Sequence, residues 1–324
     1  MKKILAFALV CAIIFALCAC EKQNDPGDTQ STGSSASASS SASTNNTEST
    51  SVPGQPGEFT EATFPRIDGS TATIPLSEGL FTELLGMDEE TARGSVVHNR
   101  THWAYENLIN GDCDVIFVTP PSEEEMQMLL DADKEYEIVR VVKDALVFLV
   151  NSQNDIQSIS SQDIFGIYTG AITNWKQVGG HDALILPYQR QANSGSQTMM
   201  YNLAVPQDKI MTPLSDQVVN DMEGLIASVA QYDAAASAIG YSVYYYASEM
   251  YVNAGSKLIA INGVEPSDET IADGSYPYID GYYAIFSKDT KSDSPTRRLV
   301  DWILSAEGQR LMHKQGYVPL SPIK

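Results

Sequence analysis

The chain has 324 residues and a formal net charge of −21, from 20 basic and 41 acidic side chains. This acidic balance argues against nucleic acids and acidic lipid surfaces as partners, since both are polyanions. It does not exclude a small anion as ligand, because arginines and helix ends inside a cleft outweigh surface charges that are screened beyond about 8–10 Å.

The N-terminal segment has the pattern of an export signal. Two lysines precede an apolar run that begins at Ile4 and is too short to span a membrane comfortably. The run closes in Leu17-Cys18-Ala19-Cys20, which resembles the lipobox of bacterial lipoproteins. We therefore expect a lipoprotein signal peptide over residues 1–19 and a lipid anchor on Cys20. An ordinary signal peptide cleaved nearby is the alternative.

Residues 20–57 have the composition of a disordered tether. Ser, Thr, Ala, Gly and Asn dominate, so the segment cannot bury enough apolar surface to offset chain entropy. The residues from 58 onwards are enough for one large or two modest domains. With the signal removed and Cys20 acylated, Cys113 is the cysteine that remains, so no intramolecular disulfide is expected.

Two helices near the start of the globular region are each predicted to follow a polar loop. Residues 69–75 form a Gly/Ser/Thr loop that ends in proline, and the apolar face after it predicts a helix that stops at Gly86. A second helix is predicted over residues 102–110, with Thr101 as its cap and Gly111 as its stop.

Strand patterns then alternate with helical ones. Val115–Val118 is a short apolar run followed directly by Thr119. Tyr136–Val142 and Ala145–Val150 predict two further strands. This alternation predicts an α/β chain with a mixed or parallel sheet rather than an all-β sandwich.

An arginine and a small hydroxyl-and-glycine cluster stand before a third predicted helix. Arg190 is followed four residues later by Ser194-Gly195-Ser196, and Met199–Ala204 continues as a short helix. A helix start offers unpaired N–H groups and a positive dipole end, and a glycine lets an anion approach the backbone. The pattern indicates an oxyanion site. The alternative is that Ser194 is an ordinary cap and Arg190 a solvated surface charge.

A long motif and several shorter ones follow in a fixed order through the chain. Residues 164–180 read Ile-Phe-Gly-Ile-Tyr-Thr-Gly-Ala-Ile-Thr-Asn-Trp-Lys-Gln-Val-Gly-Gly, and shorter motifs occur at Ala238–Ser242, Tyr276–Tyr278 and Gly316–Leu320. Together they resemble the phosphate-binding receptors of ABC importers. The resemblance runs from about residue 68 to residue 320.

This resemblance implies a fold and a domain organisation. The implied fold is α/β and two-lobed, of the periplasmic-binding-protein type 2, and the chain crosses between lobes twice. We place the crossings near Asp144 and near residues 278–281. Lobe 1 would then comprise residues 58–143 plus 281–324, and lobe 2 would comprise residues 144–280.

The resemblance also implies which residues bind the ligand. The first loop would contribute the Thr73 hydroxyl and the Ile74 N–H, and Thr101 would add a second hydroxyl. The opposite lobe would supply the cluster Arg190, Ser194, Gly195 and Ser196. Where the family usually carries an aspartate after the buried strand, this chain has Thr119. That aspartate accepts a hydrogen bond from a protonated phosphate oxygen, so with Thr119 in its place we expect sulfate to compete with phosphate. If sulfate is excluded all the same, Asp68 or Asp280 would be the acceptor that replaces the aspartate.

The implied function is capture of a tetrahedral oxyanion, most simply phosphate, for delivery to the membrane subunits of an ABC importer. We expect a monomeric receptor, tethered by its lipid to the extracytoplasmic face of a bacterial cell membrane, that does not bind nucleic acid and is not an enzyme. An anion sensor or scaffold on the same fold is the alternative.

Catalytic and metal interpretations have little support in the sequence. A serine hydrolase would need a base beside Ser194 or Ser196, but the four histidines form no recognisable triad pattern and Gly-x-Ser-x-Gly is absent. His98 and His102 lie four residues apart, yet no third ligand stands at a familiar spacing. We therefore predict no metal site and no cofactor.

Overall fold

We describe the protein from a computed structural model, which covers residues 58–231 and 237–323. The predicted signal peptide, Cys20 and the tether lie outside these residues. Among the helices it describes, none is long and apolar enough to cross a membrane. Cys113 is a buried free thiol, and burial raises its pKa to about 12.

Helices and strands alternate along the described chain, as the sequence predicts. The helices are α1 (Ile74–Leu85), α2 (Glu89–Ser95), α3 (Thr101–Asn110), α4 (Glu123–Asp131), α5 (Ser161–Tyr168), α6 (Gly195–Met199), α7 (Met222–Ala230), α8 (Asp268–Ala272), α9 (Pro295–Leu304) and α10 (Ala306–Lys314). The strands are β1 (Ile67–Gly69), β2 (Val115–Val118), β3 (Tyr136–Asn151), β4 (Ser158–Ile159), β5 (Leu186–Pro187), β6 (Gln189–Arg190), β7 (Val218–Val219), β8 (Ala238–Val243), β9 (Ser256–Leu258), β10 (Ala260–Ile261) and β11 (Ile279–Ser287).

A mixed sheet of seven strands forms the centre of the fold. Its strand order is β1-β2-β11-β3-β8-β5, with β9 also paired to β3. β1 pairs parallel with β2, β5 pairs parallel with β8, and the other pairings are antiparallel. Strands β2 and β8 are buried along their whole length, which is why their sequences are almost continuously apolar.

The long strand β3 connects the two halves of this sheet. Its first part, up to Ala145, pairs with β11, and its second part, from Leu146, pairs with β8 and β9. In the register of β3 and β11, Asp280 is opposite Asp144, so the two predicted crossings lie side by side. The residue ranges of the two lobes remain a prediction.

One expected strand break is wrong. Residues 136–142 and 145–150 are parts of the single strand β3, not two strands. Asp144 lies at the expected break, yet its buried carboxylate accepts hydrogen bonds from the backbone N–H groups of Ala145 (2.7 Å) and Tyr245 (3.1 Å). These contacts allow a polar side chain to remain inside the sheet.

The predicted helix boundaries are largely confirmed. Helix α1 is terminated by Gly86, as predicted. The φ of Gly86 is +67°, in the left-handed region that glycine adopts without strain. Helix α6 begins at Gly195 and continues as a π-helical turn over Met200–Ala204. The predicted cap of α3 is wrong by one residue, because Arg100 is in the cap position and Thr101 is the first helical residue.

Candidate functional site

A cavity of about 310 Å³ lies between loops from both halves of the sheet. Six of the eight predicted ligand-binding residues line it: Thr101, Thr119, Arg190, Ser194, Gly195 and Ser196. Segments that are more than 90 residues apart in sequence therefore converge on one volume. The structure brings together the three helix starts that the sequence singled out.

The first loop reaches the cavity through different residues from those expected. Ser70, Thr71 and Ala72 line it, whereas Thr73 and Ile74 do not. The Thr73 hydroxyl is buried and donates to Phe117 O at 2.7 Å. We therefore replace Thr73 and Ile74, as candidate ligand contacts, by the three residues that precede them.

The start of helix α3 supplies backbone N–H groups on the same side. Arg100 has a φ of +73°, a strained value for a residue other than glycine, and no side chain caps the first turn. The N–H groups of the first helical residues, from Thr101 onwards, are thus available to an anion. Asp68 is buried and accepts hydrogen bonds from the Asn99 N–H (2.7 Å) and the Asn107 side chain (2.7 Å), which holds this turn in place.

Thr119 faces the cavity from the end of strand β2. It is 2% exposed, and its Oγ1 has no hydrogen-bond partner among the described residues. Its carbonyl oxygen accepts a hydrogen bond from the Tyr105 hydroxyl at 3.1 Å, which fixes the backbone. A buried hydroxyl without a partner costs about 1–3 kcal/mol, so this position is prepared for a polar ligand atom.

Arg190 is the buried cation of the site. It is 9% exposed, and burial lowers its pKa from the usual arginine value. Its Nε donates to Val219 O (3.0 Å), one Nη to Asn220 O (3.1 Å), and the other Nη to Ser196 Oγ (3.3 Å). A guanidinium has five N–H donors, so two remain. Within the described chain no carboxylate forms an ion pair with it.

The Ser194-Gly195-Ser196 segment closes the cavity from the side of Arg190. A Cβ atom on Gly195 would overlap Thr119 Oγ1 and would lie 3.1 Å from Thr101 Oγ1, so only glycine at this position leaves room for the two threonine side chains. Ser194 Oγ is buried and has no hydrogen-bond partner among the described residues. Nearby, the Asn193 side chain donates to the Glu124 carboxylate and joins the two sides.

The acidic groups at the cavity are not those considered from the sequence. Asp68 and Asp280 do not line it, whereas Asp221 and Glu223 do. These two residues stand at the start of α7, more than 30 residues after Arg190, and the parallel pairing of β6 with β7 brings them to the site. Asp221 and Glu223 before an apolar run are typical of a helix start, so the sequence could have predicted α7. It could not have predicted that α7 begins at this cavity.

Neither of the two serines considered as nucleophiles, Ser194 and Ser196, has a base beside it among the described residues. The Ser196 hydroxyl contacts Arg190, and neither it nor Ser194 hydrogen-bonds a histidine. His102 lines the cavity but its Nδ1 faces the buried Glu125 carboxylate at 3.3 Å. The described residues contain no group of three His, Cys, Asp or Glu side chains that could hold a metal ion.

The two-lobed α/β fold with a cavity between its halves is the architecture of the periplasmic-binding-protein class. Residues 66–307 match the PBP superfamily domain, and the chain belongs to this superfamily. Its similarity to the phosphate-binding protein PstS of Borreliella burgdorferi is 25% identity over 262 residues, which cover 78% of this chain and 88% of that protein. PstS of Staphylococcus haemolyticus is 24% identical over 256 residues, 78% and 79% of the two chains.

The fold has solved counterparts. The crystal structure of an ABC-type phosphate transport receptor from Vibrio cholerae superposes with a TM-score of 0.57 at 21% identity, covering 81% of this chain and 99% of that one. The fold class predicted from the sequence is therefore confirmed. The relatives named here are phosphate-binding proteins and a transport receptor rather than enzymes, which agrees with the prediction that the chain is not an enzyme.

Proposed function

We propose that this protein captures a tetrahedral oxyanion, phosphate in the first instance, and delivers it to an ABC importer. The main support for this proposal is the state of the Arg190 guanidinium. It is buried, forms no ion pair with a described carboxylate, and has two N–H donors that no described residue accepts. The start of α3, Ser70–Ala72, Thr119 and the Ser194–Ser196 segment add neutral donors around it. Hydrogen bonds from a guanidinium to an anion are stronger than those between neutral groups, so they can replace the water that the anion loses on binding.

Closure of two lobes would explain how such an anion is held and released. Gly195 lies against Thr119 and Thr101, and Asn193 is hydrogen-bonded to Glu124, so the two sides touch around the cavity. Opening about the paired strands β3 and β11 would separate these contacts and admit the ligand. On this proposal, lobe 1 comprises residues 58–143 plus 281–324, and lobe 2 residues 144–280.

Calorimetric titration of the purified protein with phosphate, sulfate and molybdate tests the proposal directly. Trp103 lines the cavity and is 52% exposed, so its fluorescence should change on binding, with Trp103→Phe as the control that removes the signal. Small-angle scattering should give a smaller radius of gyration with saturating phosphate. Absence of any heat or fluorescence change with all three anions would refute the proposal.

The cellular setting is part of the proposal. Cys20 would carry the lipid that holds a monomeric receptor at the extracytoplasmic face, and the membrane subunits of the importer would be its partners. A strain that lacks this protein should take up less labelled phosphate. Normal uptake together with tight binding would instead favour an anion sensor or scaffold.

A further inference from the structure

The first loop has its carbonyl oxygens turned towards donors of the protein. Ser70 O accepts a hydrogen bond from the Thr73 N–H at 3.1 Å. Ala72 O accepts one from the Tyr317 hydroxyl at 2.7 Å. The carbonyl groups on both sides of Thr71 are therefore held by protein donors, although all three loop residues line the cavity.

The Thr71 N–H is in the opposite state, because it has no acceptor among the described residues. It belongs to the same peptide group as Ser70 O. The C=O and the N–H of a trans peptide point in opposite directions, so a contact that holds Ser70 O also fixes the direction of the Thr71 N–H. A backbone donor without an acceptor beside a cavity is available to an anion.

His98 holds Ser70 O from outside the cavity. Its Nδ1 lies 2.9 Å from Ser70 O, and its Nε2 lies 3.1 Å from Ser77 Oγ. A carbonyl oxygen only accepts, so Nδ1 carries the proton, and Nε2 of the neutral ring accepts from the Ser77 hydroxyl. Burial is the main cause that lowers the pKa of His98, which keeps the ring neutral at pH 7. The ring borders a separate groove, with Phe64 and Phe81.

The chain beside His98 is anchored independently of the ring. The Asn99 N–H donates to Asp68 Oδ1 at 2.7 Å, and the Asn99 side chain donates to Asp68 Oδ2 at 2.8 Å. Helix α3 begins two residues later. These contacts would hold the segment in place without the imidazole, so the fold does not depend on the ring alone.

Resting on the proposed function, we propose that His98 is a positioning residue, which directs the Thr71 N–H into the cavity by holding Ser70 O. The imidazole does not touch the ligand. A turned peptide would present a carbonyl oxygen to the anion in place of a donor. The Thr73 N–H lies in the same turn as Ser70 and moves with it, whereas the contact from His98 joins residues 28 apart in the sequence.

Two variants of the full chain separate the Nδ1 donor from the rest of the ring. His98→Leu should raise the Kd for phosphate about tenfold or more in calorimetry, the loss expected for one hydrogen bond to a charged group. His98→Asn retains an N–H near the place of Nδ1 and should return the Kd to within about threefold of the wild type. His181→Leu is the control, because His181 is exposed and does not line the cavity.

Melting temperatures without phosphate show how much each variant loses in stability. Both His98→Leu and His98→Asn remove the packing of the ring, so a merely structural role would lower both melting temperatures without separating the two Kd values. If His98→Leu does not fold, His98→Gln replaces it. Its amide reaches the place of Nε2 rather than that of Nδ1, and the same rise in Kd is expected.

Nuclear magnetic resonance reports the Thr71 N–H directly. Protein with isotope-labelled threonine gives one amide signal for each threonine, and Thr71→Ser identifies the signal of Thr71 by its loss. On addition of phosphate, the Thr71 amide proton should shift downfield in the wild type and in His98→Asn, as expected for a new hydrogen bond to an anion. The shift should be absent in His98→Leu.

The outcomes separate the two proposals. If the wild type binds phosphate but folded His98→Leu keeps both its Kd and the Thr71 shift, the positioning role is overturned and the phosphate receptor stands. Equal weakening in His98→Leu and His98→Asn would also overturn it. If the wild type binds none of phosphate, sulfate and molybdate, both proposals fall.

Discussion

Replacing Arg190 by alanine should remove most of the affinity for an oxyanion. Of the five N–H donors, three are already used by Val219 O, Asn220 O and Ser196 Oγ, so two are left for the ligand. Each hydrogen bond to a charged group contributes about 1.5–3 kcal/mol, and loss of one partner of a buried charge pair costs about 2–5 kcal/mol. We therefore expect a Kd about 30- to 5,000-fold higher.

Calorimetry and thermal melting measure this change independently. At a phosphate concentration of 100 times the wild-type Kd, the ligand stabilises the wild type by about 2.7 kcal/mol, whereas a variant with a 100-fold weaker Kd gains only about 0.4 kcal/mol. Arg66→Ala is the matched control, because Arg66 is paired with Asp114 at an exposed site. An Arg190→Ala protein that folds and keeps its Kd within about twofold would show that the guanidinium does not contact the ligand.

Four further changes have defined outcomes. Gly195→Ala should weaken phosphate binding by about tenfold or more in calorimetry, because the added Cβ would overlap Thr119 Oγ1. Unchanged affinity would mean that Gly195 and Thr119 can move apart without weakening the binding of phosphate. Thr119→Asp should increase the preference for phosphate over sulfate in competition titrations, since a carboxylate accepts from protonated phosphate and repels sulfate; equal sulfate competition in both proteins would contradict this. Burial raises the pKa of Asp144 from 3.8 to about 6. The protonated carboxyl therefore stabilises the fold fully below pH 3.8, and this stabilisation, up to about 3 kcal/mol in the free energy of unfolding, is lost as the pH rises through about 6. Asp144→Asn should flatten this pH dependence when unfolding by denaturant is measured between about pH 4 and 7. Cys20→Ala should release the protein from membranes or leave the precursor uncleaved, as fractionation and intact mass would reveal, and a wild-type protein that starts elsewhere and is soluble would disprove the anchor.

The sequence predicted the helix starts of the site well, because their signals are local. Arg190 and the Ser194–Ser196 cluster lie within seven residues, so one short stretch of sequence contains the arginine, both hydroxyls and the helix start. Thr119 could be located because a fully apolar run places the next residue at the end of a buried strand. The fold class followed from the alternation of patterns together with the family motifs.

The parts that could not be predicted depend on non-local contacts. The side of the first loop that faces the cavity is decided by the Thr73 hydroxyl, which turns inward to Phe117 O, a contact across 44 residues. Asp221 and Glu223 reach the cavity only through the pairing of β6 with β7. The continuity of β3 through Asp144 depends on a backbone donor from Tyr245, 101 residues away.

The strand order has a consequence for how the chain matures. Strand β11 lies between β2 and β3, yet it is made about 160 residues after β2 ends. At roughly 5–20 residues per second of synthesis, this gap lasts about 10–30 s. During that time β2 and β3 expose the edges that β11 later covers, and such unpaired edges promote aggregation. The segment between β3 and β11 would therefore be complete before β11 is made, whereas the half of the sheet that contains β1 and β2 would be completed last, when β11 inserts between β2 and β3.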